Sequence, residues 1–554
     1  MAIRLDHQPR SLRCTARRRD SRAATPRCEL SRDSKTTIGR DSWIAPWLVG
    51  LFLISLGAAW IVGNPPGAAP DEGAHYIKAV GVGRGDLDGR SPTVNEKDLN
   101  RFLELSGRPD AHAQIEAFIE AGGTKGAHWQ RQTTRDFWVP AGLAFLGFGC
   151  ESGDPDASAS CLDHGRRLPT TKMGTYVGTY QPYVYLGPGL AMRSTRDGPT
   201  AMRLGRLANA VLSLGLVAIA ALALWDRSRG ALSLAGVIVA VSPAVVFAAT
   251  TLNPSGPEIA AGICFAASLM RLTRSADRPT WIWVAYGASG AVLALSRSLG
   301  PIFVVLIALA IALLVGRRGV RAVLGTEPWR ARTAAAAIAV AIAGGLFWEL
   351  TYQPHLPFDV GATLDEVGPS VTALPRLAKE AVGVFGALDT KLPLAAYVGW
   401  WLMLGVLLVV AFAVAERRER RALAALGVGV VAVAIGVSTI YRQTGFALQA
   451  RYVLPVAVVL PLWAGELLTR HHRSLSPSGS RALLIVLTAA AAGIHALAWY
   501  TNARRAAVGV DGGWLFERHP EWSPPLGWLP WIALVLVAAA SCMLAGVRTT
   551  RALE

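Results

Sequence analysis

Asn64-Pro65-Pro66-Gly67-Ala68-Ala69-Pro70-Asp71-Glu72-Gly73-Ala74-His75-Tyr76 begins where the apolar run 43–63 stops. The run has about the 20 residues needed to cross the hydrocarbon core of a bilayer. Pro65, Pro66, Gly67 and Pro70 cannot continue a helix, whereas Gly73 to Val80 can start one, so Asp71 is expected at or near an N-cap. Two adjacent carboxylates and an imidazole are thereby fixed at a membrane surface.

The same pattern recurs along the chain. Of 554 residues, 52% are hydrophobic and only 17% charged, with the apolar residues in long runs separated by short arginine-rich connections. This is the composition of an all-α, multi-pass integral membrane protein. The spans read as 43–63, 203–225, 231–251, 258–270, 281–296, 301–316, 333–351, 393–414, 422–440, 453–468, 482–500 and 531–547. That makes about twelve, with eleven to thirteen compatible because 258–270 is short and 281–316 also fits a re-entrant hairpin. Connections 226–230, 271–280, 316–332, 415–421 and 469–481 carry 17 Arg and Lys, against three in 252–257, 297–300 and 441–452. Positive charge stays inside, so both termini are expected in the cytoplasm and residues 64–200 outside. The net charge of +17 is then a matter of orientation, and no nucleic-acid partner is needed to explain it.

Three regions follow: a basic tail, 1–42, expected to be disordered; a transmembrane module, 43–500; and 501–554, with the last outer loop, the final span and the C-terminus. The tail holds eleven Arg and Lys, enough to attract anionic lipid but equally a solvated flank. The first apolar run is too long for a signal-peptide core and reads as a retained anchor in a bacterial plasma membrane. Within loop 64–200, 96–105 and 111–120 have helical spacing of apolar residues. Cys150 and Cys161 are the cysteines placed outside, since Cys14 and Cys28 fall in the tail and Cys264 and Cys542 in spans, so one disulfide between them is expected.

Candidate site residues cluster on the outer side. Gly174 to Gly189 contains Tyr176, Tyr180, Tyr183 and Tyr185 among Gly and Pro, which fits an aromatic belt or a platform for a sugar ring or prenyl chain. Asn253-Pro254-Ser255-Gly256-Pro257-Glu258 is a tight turn whose Glu258 starts a helix. Arg297, Arg442 and Arg451 lie on the outer side against the charge bias; snorkelling explains such arginines, and so does an anionic ligand. Val371 to Val384 reads as an amphipathic surface helix, and the Trp- and Pro-rich loop 501–530 as interfacial.

Pro70-Asp71-Glu72-x-x-His75, Gln181-Pro182-Tyr183-x-Tyr185, Asn253-Pro254-Ser255-Gly256-x-Glu258 and Gln449-Ala450-Arg451-Tyr452-x-Leu454-Pro455 together resemble a family of uncharacterised bacterial multi-pass proteins. That family is similar to the GT-C clan of integral-membrane glycosyltransferases. The resemblance runs from about 43 to 500. It implies transfer of a sugar, with inversion, from a polyprenyl-phosphate sugar to a cell-envelope glycan or lipid acceptor on the outer face. An acid of the first outer loop would be the base: Asp71, with Glu72 as its neighbour. His75, Tyr183, Tyr185, Glu258, Arg297, Arg442 and Arg451 would bind substrate. A divalent metal ion at Asp71, Glu72 and His75 stays open as a cofactor, and with it a metal-dependent hydrolase. The alternative from another class is a multi-pass transporter or lipid flippase, against which stand very unequal outer loops and the lack of a visible repeat.

Overall fold

The computed structural model describes residues 44–92, 124–225, 232–274, 278–355 and 359–551. The basic tail, the runs 96–105 and 111–120 expected to be helical, and the connection 226–230 lie outside the described residues.

Each apolar run expected to span the membrane carries helix. Among the described residues, eight helices are long and apolar enough to cross: Ile44–Gly63, Gly198–Leu224, Gly300–Gly325, Pro328–Tyr352, Leu394–Val414, Arg417–Arg442, Pro477–Val508 and Leu529–Val547. The other four of the about twelve expected runs are shorter, broken or inner helices. Run 231–251 is broken into Leu232–Ala240 and Pro243–Thr250, because Pro243 has no N–H to continue the ladder. Run 453–468 is likewise split into Leu454–Ala457 and Val459–Arg470. Ser255–Arg274 is buried on nearly every side and carries Glu258, Arg271 and Arg274, so it is an inner helix without a lipid face. Thr280–Ala294 has 15 residues; at 1.5 Å per residue it reaches ~22 Å, short of the ~30 Å of hydrocarbon.

Hydrocarbon supplies no hydrophobic drive between helices, so close approach has to come from small residues. Gly236 faces Val459–Arg470 with a would-be Cβ 2.6 Å from the Pro461 carbonyl oxygen, and Gly262 stands equally close to that of Pro455. Any side chain at either position forces these helices apart.

The loop after the first helix packs on Glu72–Gly83, the second helix. Tyr76, Val80, Val139, Leu143, Tyr185, Met192, Met202 and Leu252 form its core, which joins the loop to the top of Gly198–Leu224. Strands Arg135–Val139 and Thr171–Thr175 pair antiparallel with Phe137 opposite Met173, and Phe145–Leu146 pairs with Arg166–Arg167. Lys78 is fully buried; its Nζ donates to the Leu87 and Gly178 carbonyls at 2.6 and 2.7 Å and lies over the Phe137 ring. Burial pushes its ammonium down to about 7. Cys150 and Cys161 are joined by a disulfide. The loop that they close is clamped from Pro477–Val508, where Arg505 donates to the Glu151, Asp154 and Ala157 carbonyls and pairs with Asp389.

Candidate functional site

The second helix does start after Asp71, but Asp71 does not cap it. Its backbone is left-handed, φ 63° and ψ 6°, and its carboxylate accepts no hydrogen bond from the helix amides. For a residue with a Cβ this conformation is costly, and Asp bears it better than most. The left-handed turn swings the carboxylate off the helix axis. Oδ1 accepts from the Tyr176 hydroxyl at 2.7 Å and Oδ2 from Arg451 Nη2 at 2.5 Å, and 29% of the side chain stays exposed.

Glu72, one residue on, points the opposite way into complete burial. Its Oε1 accepts from Arg206 Nε and the Leu252 amide at 2.7 and 2.8 Å, and its Oε2 from Arg206 Nη2 and the Gly67 amide at 2.5 and 3.1 Å. Arg206 spends its remaining donors on the Ile61, Asn64 and Pro65 carbonyls, where the first helix ends. These carbonyls have no partner within that helix. Glu72 and Arg206 therefore form a structural latch that pins the end of the first span to Gly198–Leu224. Glu72, expected beside Asp71 as its catalytic neighbour, has every acceptor direction of its carboxylate taken.

Arg451 and Arg297 converge on the Asp71 side. The Gln449–Tyr452 turn is braced by Leu374–Val382, the surface helix, through Arg376 on the Leu448 carbonyl and Glu380 on the Ala450 amide. From that turn Arg451 also reaches the Pro70 carbonyl. Arg297 projects from the short turn between Thr280–Ala294 and Gly300–Thr326, donating to Ser255 Oγ at 2.9 Å and lying 4.1 Å over the centre of the Tyr452 ring and 5.4 Å over that of Tyr180. The Asn253-Pro254-Ser255-Gly256 turn holds both ends of this arrangement. Asn253 donates to the Pro70 carbonyl while Ser255 receives Arg297. Gly256 is needed because a Cβ there would meet the Ala248 carbonyl oxygen at 2.4 Å.

Charge follows from this geometry. Burial raises the Asp71 carboxyl, but Arg451, His75 and the Tyr176 hydroxyl together outweigh it and hold the group below its ordinary value. His75 shares a 2.7 Å hydrogen bond with the Tyr185 hydroxyl through Nδ1; burial, with Arg451 and Arg297 nearby, drives it down to about 3 against the pull of Asp71. The site thus contains an ionised carboxylate, a neutral imidazole and two guanidiniums.

Beside it is a cavity of about 360 Å³, lined by Tyr180, Arg297 and Tyr452 on the site side and by Leu299, Leu350, Val437 and Ile440 farther out. Glu258 lines it too, buried at the start of its helix. Of the residues expected to bind substrate, His75, Tyr185, Glu258, Arg297 and Arg451 come together with Asp71. Tyr183 turns to the Gly344 carbonyl and packs on Trp348. Arg442, at the end of Arg417–Arg442, pairs instead with a half-buried Glu366. Tyr176, Tyr180 and Tyr452 complete the site; the sequence offers the first two as belt or platform residues and the third as a motif position, and names none of them as a substrate-binding residue. Arg206 carried a signal of its own, since an arginine inside an apolar run needs a partner.

Asp71, Glu72 and His75 do not fit a metal ion. Their ligand atoms are directed to Arg451, Arg206 and Tyr185 respectively. The one cluster of potential ligands within reach of one another among the described residues, Cys150, Glu151 and Cys161, contains the two disulfide sulfurs.

A family model described as predicted membrane protein (DUF2142) matches residues 53–460. Among solved structures, ArnT from Cupriavidus metallidurans bound to undecaprenyl phosphate is similar at 14% identity over 93% of this chain and 77% of that chain, with a TM-score of 0.39. ArnT from the same organism in the apo state is similar at 15% identity over 80% of this chain and 77% of that chain, with a TM-score of 0.35. Comparison with the curated proteins finds no match.

Proposed function

The chain belongs to the DUF2142 family of predicted membrane proteins, and we propose that it is a membrane glycosyltransferase that takes its sugar from a polyprenyl-phosphate-linked donor. The observation that carries this reading is the left-handed Asp71, whose carboxylate is turned off its helix and held between Tyr176 and Arg451. Beside it lies a cavity with a cationic end and an apolar flank.

In this reading both termini are cytoplasmic and the site faces outward. The prenyl chain lies along the apolar flank, and the phosphate meets Arg297 and Arg451. Asp71 takes the proton of an acceptor hydroxyl; the acceptor oxygen bonds to the anomeric carbon with inversion. The bond from that carbon to the phosphate oxygen breaks, its electron pair stays on the phosphate, and polyprenyl phosphate leaves. A carboxylate held as acidic as Asp71 is a weak base while Arg451 pairs with it. Arg451 therefore changes partner: a phosphate that takes its guanidinium releases Asp71 and raises its basicity as the donor arrives. No metal enters the step.

The test is Asp71→Asn in purified, folded protein, assayed for transfer from a polyprenyl-phosphate sugar. Loss of a positioned base lowers the rate ~10²–10⁴-fold with donor binding kept. Full transfer activity in the variant refutes the role.

A further inference from the structure

Three residues that line the cavity each keep one buried acceptor atom without a hydrogen-bond partner: Glu258 Oε2, Glu349 Oε2 and Gln181 Oε1. They come from three separate elements, the start of Ser255–Arg274, the end of Pro328–Tyr352 and the loop before Tyr183. Glu258 and Gln181 are 1% exposed. A buried acceptor without a partner is costly, and three around one cavity make it a receptor for hydrogen-bond donors. Among the groups beside them, Arg297 donates to Ser255 and Tyr180, Gln181 Nε2 faces the Gly345 carbonyl, and Ser298 bonds the Glu349 carboxylate. The volume lies within the ~300–1,000 Å³ of small-molecule sites.

We infer that this cavity receives a donor-rich, non-acidic sugar head, with Glu258, Glu349 and Gln181 as the residues that select it. Ring hydroxyls or an ammonium group satisfy all three acceptors. A sugar carboxylate, which brings acceptors and no donor, leaves them unpaired. The inference rests on the glycosyltransferase reading for the identity of the sugar as part of the donor; the acceptor geometry stands without it.

Full-length protein in detergent is titrated calorimetrically with farnesyl phosphate alone and with farnesyl phosphate carrying glucose, glucosamine or glucuronate. Methyl glycosides of the same sugars are titrated in parallel. The glucose and glucosamine forms should bind at least ~10-fold tighter than the glucuronate form, the effect of one or two buried charge-assisted hydrogen bonds. Glu258→Gln should shrink that gap to under ~3-fold and leave farnesyl phosphate unchanged, and Glu349→Gln, folded independently, should do the same in part. A larger loss for glucosamine than for glucose in Glu258→Gln identifies ammonium as the preferred donor; equal losses identify hydroxyls. The inference is overturned if wild type binds the three heads alike, or if both variants weaken sugar-free farnesyl phosphate as much as the glycosylated forms. Discrimination among methyl glycosides with no binding of any farnesyl compound removes the lipid-linked donor and keeps the cavity assignment. Farnesyl binding without discrimination does the reverse.

Discussion

Glu72→Gln tests whether the buried acid of the Asp71-Glu72 pair holds the fold. The carboxylate has no exposed surface and accepts four hydrogen bonds, two of them from Arg206, which is equally buried. An amide keeps the shape but turns one acceptor into a donor. Either orientation aims that NH₂ at two existing donors, Arg206 Nε and the Leu252 amide or Arg206 Nη2 and the Gly67 amide. It also leaves the Arg206 charge buried with three carbonyls and no anion. Breaking one side of a buried pair costs ~3–5 kcal/mol, and two lost hydrogen bonds to a charged group at ~1.5–3 kcal/mol each give the same scale. The assay is reversible denaturant unfolding in detergent, with Asp71→Asn as reference and Glu72→Gln/Arg206→Met completing a double-mutant cycle. Glu72→Gln should lose most of those ~3–5 kcal/mol, and the double variant should recover part by removing the orphan cation. Asp71→Asn, partly exposed, should lose under ~1 kcal/mol. A Glu72→Gln protein as stable as wild type, with no coupling to Arg206, refutes the latch.

Further outcomes follow from the same geometry. Arg297→Gln and Arg451→Gln should each weaken polyprenyl-phosphate binding ~10–100-fold, whereas Arg442→Gln, whose partner is Glu366, should leave it unchanged; equal effects of all three, read by calorimetry, contradict the placement. His75, lowered to about 3 when folded, binds a proton below pH 6.5 only once the chain unfolds. Wild type is therefore destabilised as pH falls from 6.5 towards 3, and His75→Gln should remove ~1.4 kcal/mol per pH unit from that slope over that window; unfolding midpoints at pH 7, 6, 5 and 4 check it. Asp71 works in the same sense but lower: its depressed value supplies stability above the ordinary carboxylate range that is lost as pH falls through the folded value, so Asp71→Asn should change the profile only below pH ~4. Gly236→Ala brings a methyl within 2.6 Å of the Pro461 carbonyl oxygen and should cost ~1–3 kcal/mol, measured by the same unfolding assay.

The helical membrane class and the residues of the site were legible for different reasons. A run such as 43–63 states its own environment, because hydrocarbon tolerates little but an apolar helix. Pro243 inside run 231–251 was equally visible, yet nothing local says whether a proline bends a span or divides it; the Ser242 hydroxyl, bonded to the Ala381 carbonyl, fixes the division from far along the chain. The motifs at Asp71, Asn253 and Arg451 were legible as motifs. Which of Asp71 and Glu72 faces the site was not, because Arg206 decides it from 134 residues away. Tyr452 shows the same limit from the other side: it stands next to Arg451, but its purpose is to carry Arg297 on its ring, a contact across 155 positions of sequence.

Asp71 and Arg451 are separated by 380 residues, whereas Glu72 meets Arg206 after 134. At ~5–20 residues per second of synthesis, some 20–80 s pass between emergence of the carboxylate and emergence of its guanidinium. For the later part of that interval Arg206 is available to Glu72 while Asp71 still lacks Arg451. A chain stalled before residue 451 therefore carries the Glu72–Arg206 pair without the Asp71–Arg451 pair, and under the proposed function it is anchored in the membrane with no transfer activity.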